Sequence, residues 1–218
     1  MDLGVTEDEI MIRDAAKEFL AVECPPEFIR SFEGNLSGHS SMLWSKLSDL
    51  GWLGLLFPEK YGGEGLTFEH MIILLEQTGY ALMPGSFFST TVLCGQAIMY
   101  AGTETQKREI IGDIVKGDMV MALALTEASV SYEPDGINLS ADISGSDYVL
   151  NGSKVFVSDA KEADYMLVAV RTSRGVTDEG ISLILVDCST IGLTINPLDV
   201  FGLDKQYEVI FDGVSVPR

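Results

Sequence analysis

The chain is short of positive charge. Its 218 residues carry 14 Lys and Arg against 33 Asp and Glu, a formal net charge of −19. That balance excludes the usual nucleic-acid grip, in which basic side chains neutralise phosphates, and disfavours adhesion to an anionic bilayer. The acidity is spread over both halves and reads as a solvating surface. Cysteine is scarce: Cys24, Cys94 and Cys188 are odd in number and far apart. They suggest neither a disulfide framework nor a zinc site, and read as buried or free thiols in a reducing cytoplasm. The only two histidines, His39 in a polar loop and His70 near a helix start, fit surface or capping roles. No apolar run reaches the ~18 residues that span a membrane. The acidic N-terminus lacks the basic and apolar regions of a secretory signal. No metal-ligand cluster, Walker loop, Gly-x-Gly-x-x-Gly or Ser/His/Asp order is present.

What is present is apolar content of 46%, enough for a packed core rather than disorder. The first half reads helical. Thr6-Glu7-Asp8-Glu9 fits a capping box with Val5 and Ile10 as a staple, opening a helix to about Val22. Further helices are expected over residues 42–50, after Thr67, over 87–100, and from Thr103 to the Lys116-Gly117 stop. Tyr61-Gly62-Gly63-Glu64-Gly65 is a turn. After Gly117 the period changes to short β-branched and aromatic runs at 119–125, 148–150, 155–157, 165–170, 181–186 and 209–211. Asn151-Gly152 reads as a two-residue hairpin, and 172–180 as an exposed loop. The expected fold class is α+β and multidomain: a helical domain over residues 1–118, then an antiparallel β-barrel domain over 119–218.

Two segments of the second half carry candidate chemistry. Leu123-Ala124-Leu125-Thr126-Glu127 is a strand running into a polar turn, whose amides and hydroxyl can meet the edge of a flat ring. Phe156 and Ser158, flanking Val157, share a face if 155–158 is a strand. On spacing alone Thr126 reads equally as a strand end bonding its own backbone, and Phe156 as a core residue.

Five segments, in order, resemble the acyl-CoA dehydrogenase family. They are GWLGLLFPEKYGGEG (51–65), GTETQKREIIGDIVKG (102–117), ALALTE (122–127), NGSKVFVSDA (151–160) with Ala163-Asp164, and VIFDGVSVP (209–217). The resemblance implies a helical N-terminal domain and a β-barrel middle domain, without the family's C-terminal helical domain. It implies FAD as cofactor. Leu123, Leu125 and Thr126 would support its pyrimidine side, with Phe156, Val157 and Ser158 beside the ring. It implies oxidation of the α,β bond of an acyl-CoA and electron-transfer flavoprotein as acceptor. Burial adds an expectation of assembly: the barrel face that covers the flavin should be apolar, and a partner or another copy would cover it, giving a homo- or hetero-oligomer.

Departures from the family pattern bear on the site. The family's Thr-Glu-Pro-x-x-Gly-Ser-Asp is here Thr126-Glu127-Ala128-Ser129-Val130-Ser131-Tyr132-Glu133. Tyr132 falls where the family's serine meets phosphate and acyl-CoA, and is the substrate-binding candidate. The family's glutamate base comes from its C-terminal domain, so no catalytic residue is assigned in this chain. Glu127 has no carboxylate or histidine beside it in sequence, and Glu76 reads as a hydrogen-bonded structural acid. Two other readings stay open: a non-catalytic scaffold or partner subunit of the same fold, and a flavin oxidase or monooxygenase.

Overall fold

The computed structural model describes residues 6–35, 37–131, 133–173, 177–202 and 204–218. Val5 of the expected staple lies outside them. The chain forms two compact units, one from Met1–Asn35, His39–Gly85 and Ala97–Asp118, the other from Leu36–Gly38, Ser86–Gln96 and Met119–Arg218.

The first unit is helical. Helix α1 (Glu7–Glu23) opens with the expected box, the Glu9 amide donating to Thr6 Oγ1 at 3.2 Å and the Thr6 amide to Glu9 Oε2 at 2.7 Å. A short α2 (Pro26–Arg30) uses proline at its first turn, where a missing N–H costs nothing. Helix α3 (Ser41–Asp49) is capped by Ser40. Helix α4 (Phe68–Tyr80) starts at Thr67, whose amide donates to His70 Nδ1 at 3.3 Å, so His70 has the expected capping role. Helix α5 (Gln96–Ala101) precedes a Thr103–Gln106 capping box that opens α6 (Glu104–Gln106). A π-helical turn, Lys107–Ile111, leads into α7 (Gly112–Lys116), which ends at left-handed Gly117 (φ +77°).

Two side chains of α3 satisfy carbonyls at the end of α7: Trp44 Nε1 donates to Gly117 O at 3.0 Å and Ser48 Oγ to Val115 O at 2.9 Å. A helix C-terminus leaves carbonyls without intrahelical partners, so these bonds fix how the two helices meet. Leu20, Leu47, Leu53, Phe57, Met71 and Ile114 fill this unit's core.

The glycine-rich turn is held by its own backbone. Glu64 N donates to Gly54 O, Gly65 N to Phe57 O and Leu66 N to Leu55 O, all within 3.0 Å. Residue 63 is pressed so closely on the carbonyls of Phe57 and Gly54 that a Cβ has no room.

In the second unit a π-helical stretch, Phe88–Gly95, packs with a seven-stranded sheet. The strands are β1 (Met121–Ala124), β2 (Ser140–Ser144), β3 (Asp147–Ser158), β4 (Tyr165–Arg171), β5 (Ile181–Asp187), β6 (Leu193–Leu198) and β7 (Gln206–Pro217). Their order is β1-β4-β2-β3-β7-β6, with β5 also on β4. The α+β class stands, but the sheet is mixed rather than wholly antiparallel: β1 runs parallel to β4, from Met121 opposite Tyr165 to Ala124 opposite Val168.

The expected hairpin at Asn151-Gly152 is not a turn. Both residues lie inside β3, at a register shift against β7, and Asn151 Oδ1 accepts from the Gly213 amide at 2.9 Å. Gly152 (φ +141°) supplies the kink of a β-bulge. The chain reverses instead between β2 and β3, where Gly145 has φ +65°.

Gly63→Ala places a methyl on main-chain atoms that cannot rotate away. A loss of about 2–4 kcal/mol is expected, as for other overpacked sites, read as a lower urea midpoint with an unchanged m-value.

Candidate functional site

The site starts from strand alternation. In β1, Ala122 and Ala124 point into the sheet core, which leaves half-buried Leu123 and 38%-exposed Leu125 on the opposite side. After Leu125 the chain leaves the sheet, yet the turn is tied to β3. The Val155 amide donates to Thr126 O at 2.8 Å, and the Lys154 ammonium donates to Leu125 O at 3.0 Å. Leu125 and Thr126 thus lie beside residues 154–156, although a loop, β2 and the first half of β3 separate the two segments in sequence.

Lys154 is the centre of this junction. It is fully buried, and Nζ lies 2.7 Å from Glu127 Oε1. The Glu127 carboxylate, itself buried, also accepts from the amides of Asn138 (2.9 and 3.0 Å) and Leu139 (2.9 Å). A buried charge needs a partner and further hydrogen bonds, and this pair has both. Burial lowers the Lys154 pKa, and the bond and charge of Glu127 oppose that. The sequence reading missed Lys154. The available signal was a lysine at the same strand parity as core-facing Leu150, and an otherwise unpartnered Glu127 following a strand.

Phe156 does not follow simple alternation. It has φ +55°, in the left-handed region, at a register shift between Lys154 and Val157, and its side chain is 52% exposed. Left-handed backbone in a bulky residue persists only when its surroundings hold it. Here β3 is fixed on both sides, by Lys154 before Phe156 and by buried Val157, paired with Tyr207, after it. Ser158 Oγ accepts from Gln206 Nε2 at 2.9 Å, leaving the hydroxyl proton to donate elsewhere.

Beyond Ser158, half-buried Asp159 (φ +59°) accepts a hydrogen bond from Ser89 Oγ at 2.7 Å. Burial raises its pKa to about 6. The Ser89 bond opposes that shift, and the negative charges of Asp204 and Glu162 add to it.

The loop between Glu127 and β2 is held at two points. Glu127 takes the amides at its far end, and Arg171 donates from its guanidinium to the carbonyls of Pro134, Ile137, Thr177 and Glu179. Tyr132 lies outside the described residues. A cleft of about 220 Å³ opens between Ala128-Ser129 and Gly152-Ser153. It is below the ~300 Å³ of ordinary ligand pockets, and Leu125, Thr126 and Phe156 are not part of its lining. Leu125 and Phe156 are exposed, and with Thr126 they form an open wall.

Other candidates separate from this wall. Glu76 is exposed, not the hydrogen-bonded structural acid its sequence context suggests. His39 is half-buried, its ring 5.4 Å from that of Trp44. The thiols are free, and burial pushes Cys24 up to about 11 and Cys94 and Cys188 to about 12, which favours the protonated form at neutral pH. Among the described residues no helix is long and apolar enough to cross a membrane.

Comparison with known proteins gives the class. Residues 6–118 match the family model "Acyl-CoA dehydrogenase, N-terminal domain" and residues 122–214 match "Acyl-CoA dehydrogenase, middle domain". The chain belongs to the acyl-CoA dehydrogenase family. It is 27% identical over 221 residues to mitochondrial isovaleryl-CoA dehydrogenase of Pongo abelii, covering 98% of this chain and 52% of that protein. Among solved structures, it resembles the ChsE4-ChsE5 complex from Mycobacterium tuberculosis (TM-score 0.87, 26% identity, covering 100% of this chain and 56% of that one). It also resembles a glutaryl-CoA dehydrogenase from Mycobacterium smegmatis in complex with FADH2 (TM-score 0.84, 26% identity, 97% and 54% covered). The chain spans about half the length of the relatives it matches.

Asp159→Asn keeps the acceptor for Ser89 and suits a left-handed backbone. Because the folded pKa is about 6 and the ordinary value 3.8, the folded state binds more protons between those values, and stability falls as pH rises through them. The variant is expected to be more stable than the parent by about 1–2 kcal/mol at pH ~8, with the gap closing as pH falls toward ~4. Denaturation at the two pH values reads this directly.

Proposed function

We propose that residues 1–118 and 119–218 are the N-terminal and middle domains of an FAD-dependent acyl-CoA dehydrogenase that oxidises the α,β bond of an acyl-CoA thioester. The observation that carries this reading is the pairing of a donor turn with an exposed aromatic ring. The carbonyls of Leu125 and Thr126 are both engaged, whereas the Thr126 amide and hydroxyl make none of the bonds that tie the turn. Those donors suit the acceptor-rich pyrimidine edge of a flavin, and Phe156 and Ser158 lie on β3, to which the turn is bonded through Val155, so the residues present fit the cofactor.

On this reading FAD, when bound, accepts the β-hydride of the substrate. Leu123 and Leu125 give the ring an apolar seat, and Thr126 holds its polar edge. Phe156 packs against the ring without the N–H that an indole would bring, Val157 contributes backbone, and Ser158 offers its hydroxyl proton. Tyr132 is assigned to the acyl-CoA. The α-proton is assigned to no carboxylate here: Glu127 is committed to Lys154 and two amides, and Glu76 is exposed on a helix of the other unit. The base is taken to come from outside these residues, as the family pattern implies. Electrons pass to an electron-transfer flavoprotein, and the working form is a homo- or hetero-oligomer in the cytoplasm. The ChsE4-ChsE5 complex, a structural relative, supports the assembly proposal.

The natural full-length protein is expected to purify with the visible absorption of bound flavin and to bleach when acyl-CoA is added. Phe156→Ala is expected to weaken flavin retention about five- to tenfold, the loss of roughly 1 kcal/mol of ring packing. A natural-length protein that stays colourless after incubation with FAD rejects the flavin reading and favours a scaffold. Substrate-dependent oxygen consumption instead of transfer to the flavoprotein acceptor assigns it to the oxidases.

A further inference from the structure

The acceptor on Lys154 and the donor on Thr126 belong to one peptide unit. Leu125 C=O and Thr126 N–H share a peptide bond, and none of the described peptides is cis, so the two groups point in opposite directions. The ammonium sits 3.0 Å from the carbonyl end. Hydrogen bonds in a chain polarise one another, more so where water is excluded, and Lys154 is fully buried. A cation on the oxygen therefore draws electron density from the nitrogen and strengthens the N–H as a donor. Glu127 keeps the charge in place from the side, and its own orientation is set by the Asn138 and Leu139 amides.

We propose that Lys154 is a positioning residue that acts through the Leu125–Thr126 peptide, fixing the turn and polarising the Thr126 amide toward negative charge on the pyrimidine edge of the flavin. This inference rests on the flavin reading given above. It concerns charge that grows on the ring when it is reduced, so the reduced form gains more from Lys154 than the oxidised form does.

The test uses the natural full-length protein, the variant Lys154→Met, and the double variant Glu127→Gln/Lys154→Met. The double variant leaves no unpaired buried charge and keeps the test open if the single one folds poorly. FAD affinity, the midpoint potential of bound FAD by spectroelectrochemistry, and thermal stability are measured on each. Lys154→Met is expected to lose stability and bind FAD about tenfold more weakly. The double variant is expected to regain most of the stability. Its reduced flavin should still be held about tenfold less favourably relative to the oxidised form, a fall of about 30 mV for a two-electron couple. A double variant with restored stability and an unchanged potential overturns the inference and leaves Lys154 a structural cation. A parent protein that takes up no FAD sinks the flavin reading itself, and this inference with it.

Discussion

A single buried ion pair joins three stretches of chain in the β unit. Lys154 comes from β3, Glu127 from the turn after β1, and the amides that complete the carboxylate's shell come from residues 138 and 139, just ahead of β2. None of the three stretches would adopt this arrangement for its own local reasons. Removing one member of such a pair leaves the other charged in a dry interior, typically at about 3–5 kcal/mol, against a total stability of roughly 5–15 kcal/mol for a domain. Replacing both members together is far milder. The pair therefore specifies the geometry of the turn more than it adds to stability, and the candidate flavin wall inherits that geometry.

The helical unit is organised by a different device. Its elements are short, and their ends are closed by polar groups chosen position by position: Thr6 with Glu9, Thr67 with His70, Thr103 with Gln106, and Trp44 and Ser48 on the last carbonyls of α7. Each cap contributes about 0.5–2 kcal/mol. More important here, the α3 side chains span 73 and 67 residues of sequence to reach their acceptors. They set tertiary contacts as well as helix ends.

Features encoded within a few residues were legible in the sequence. The capping boxes, the glycine stop at 117, the switch from helix to strand and the strand at β4 all rest on local period or composition. So did the segments that form the candidate wall. What the sequence did not disclose depends on distant partners. Asn151-Gly152 has the composition of a hairpin, but β7 runs alongside it and turns the pair into a bulge. Phe156 and Ser158 follow strand alternation on paper; the register shift before Val157 puts Phe156 in left-handed backbone. Lys154 looked like one more strand residue because its counter-ion lies 27 residues away. Strands β2 and β6 have too few β-branched and aromatic residues to stand out, and they form because a neighbouring strand supplies the ladder.

The outer margin of β1 is finished by a threonine. Thr90 Oγ1 accepts from the Met121 amide at 2.9 Å and donates to the Met121 carbonyl at 3.1 Å, so one hydroxyl occupies both main-chain groups of Met121. An open row of such groups is a template for adding foreign backbone, and with it for amyloid-like stacking. By lending a helical side chain to that row, the protein closes the Met121 position to foreign backbone without a proline, a bulge or a surface charge.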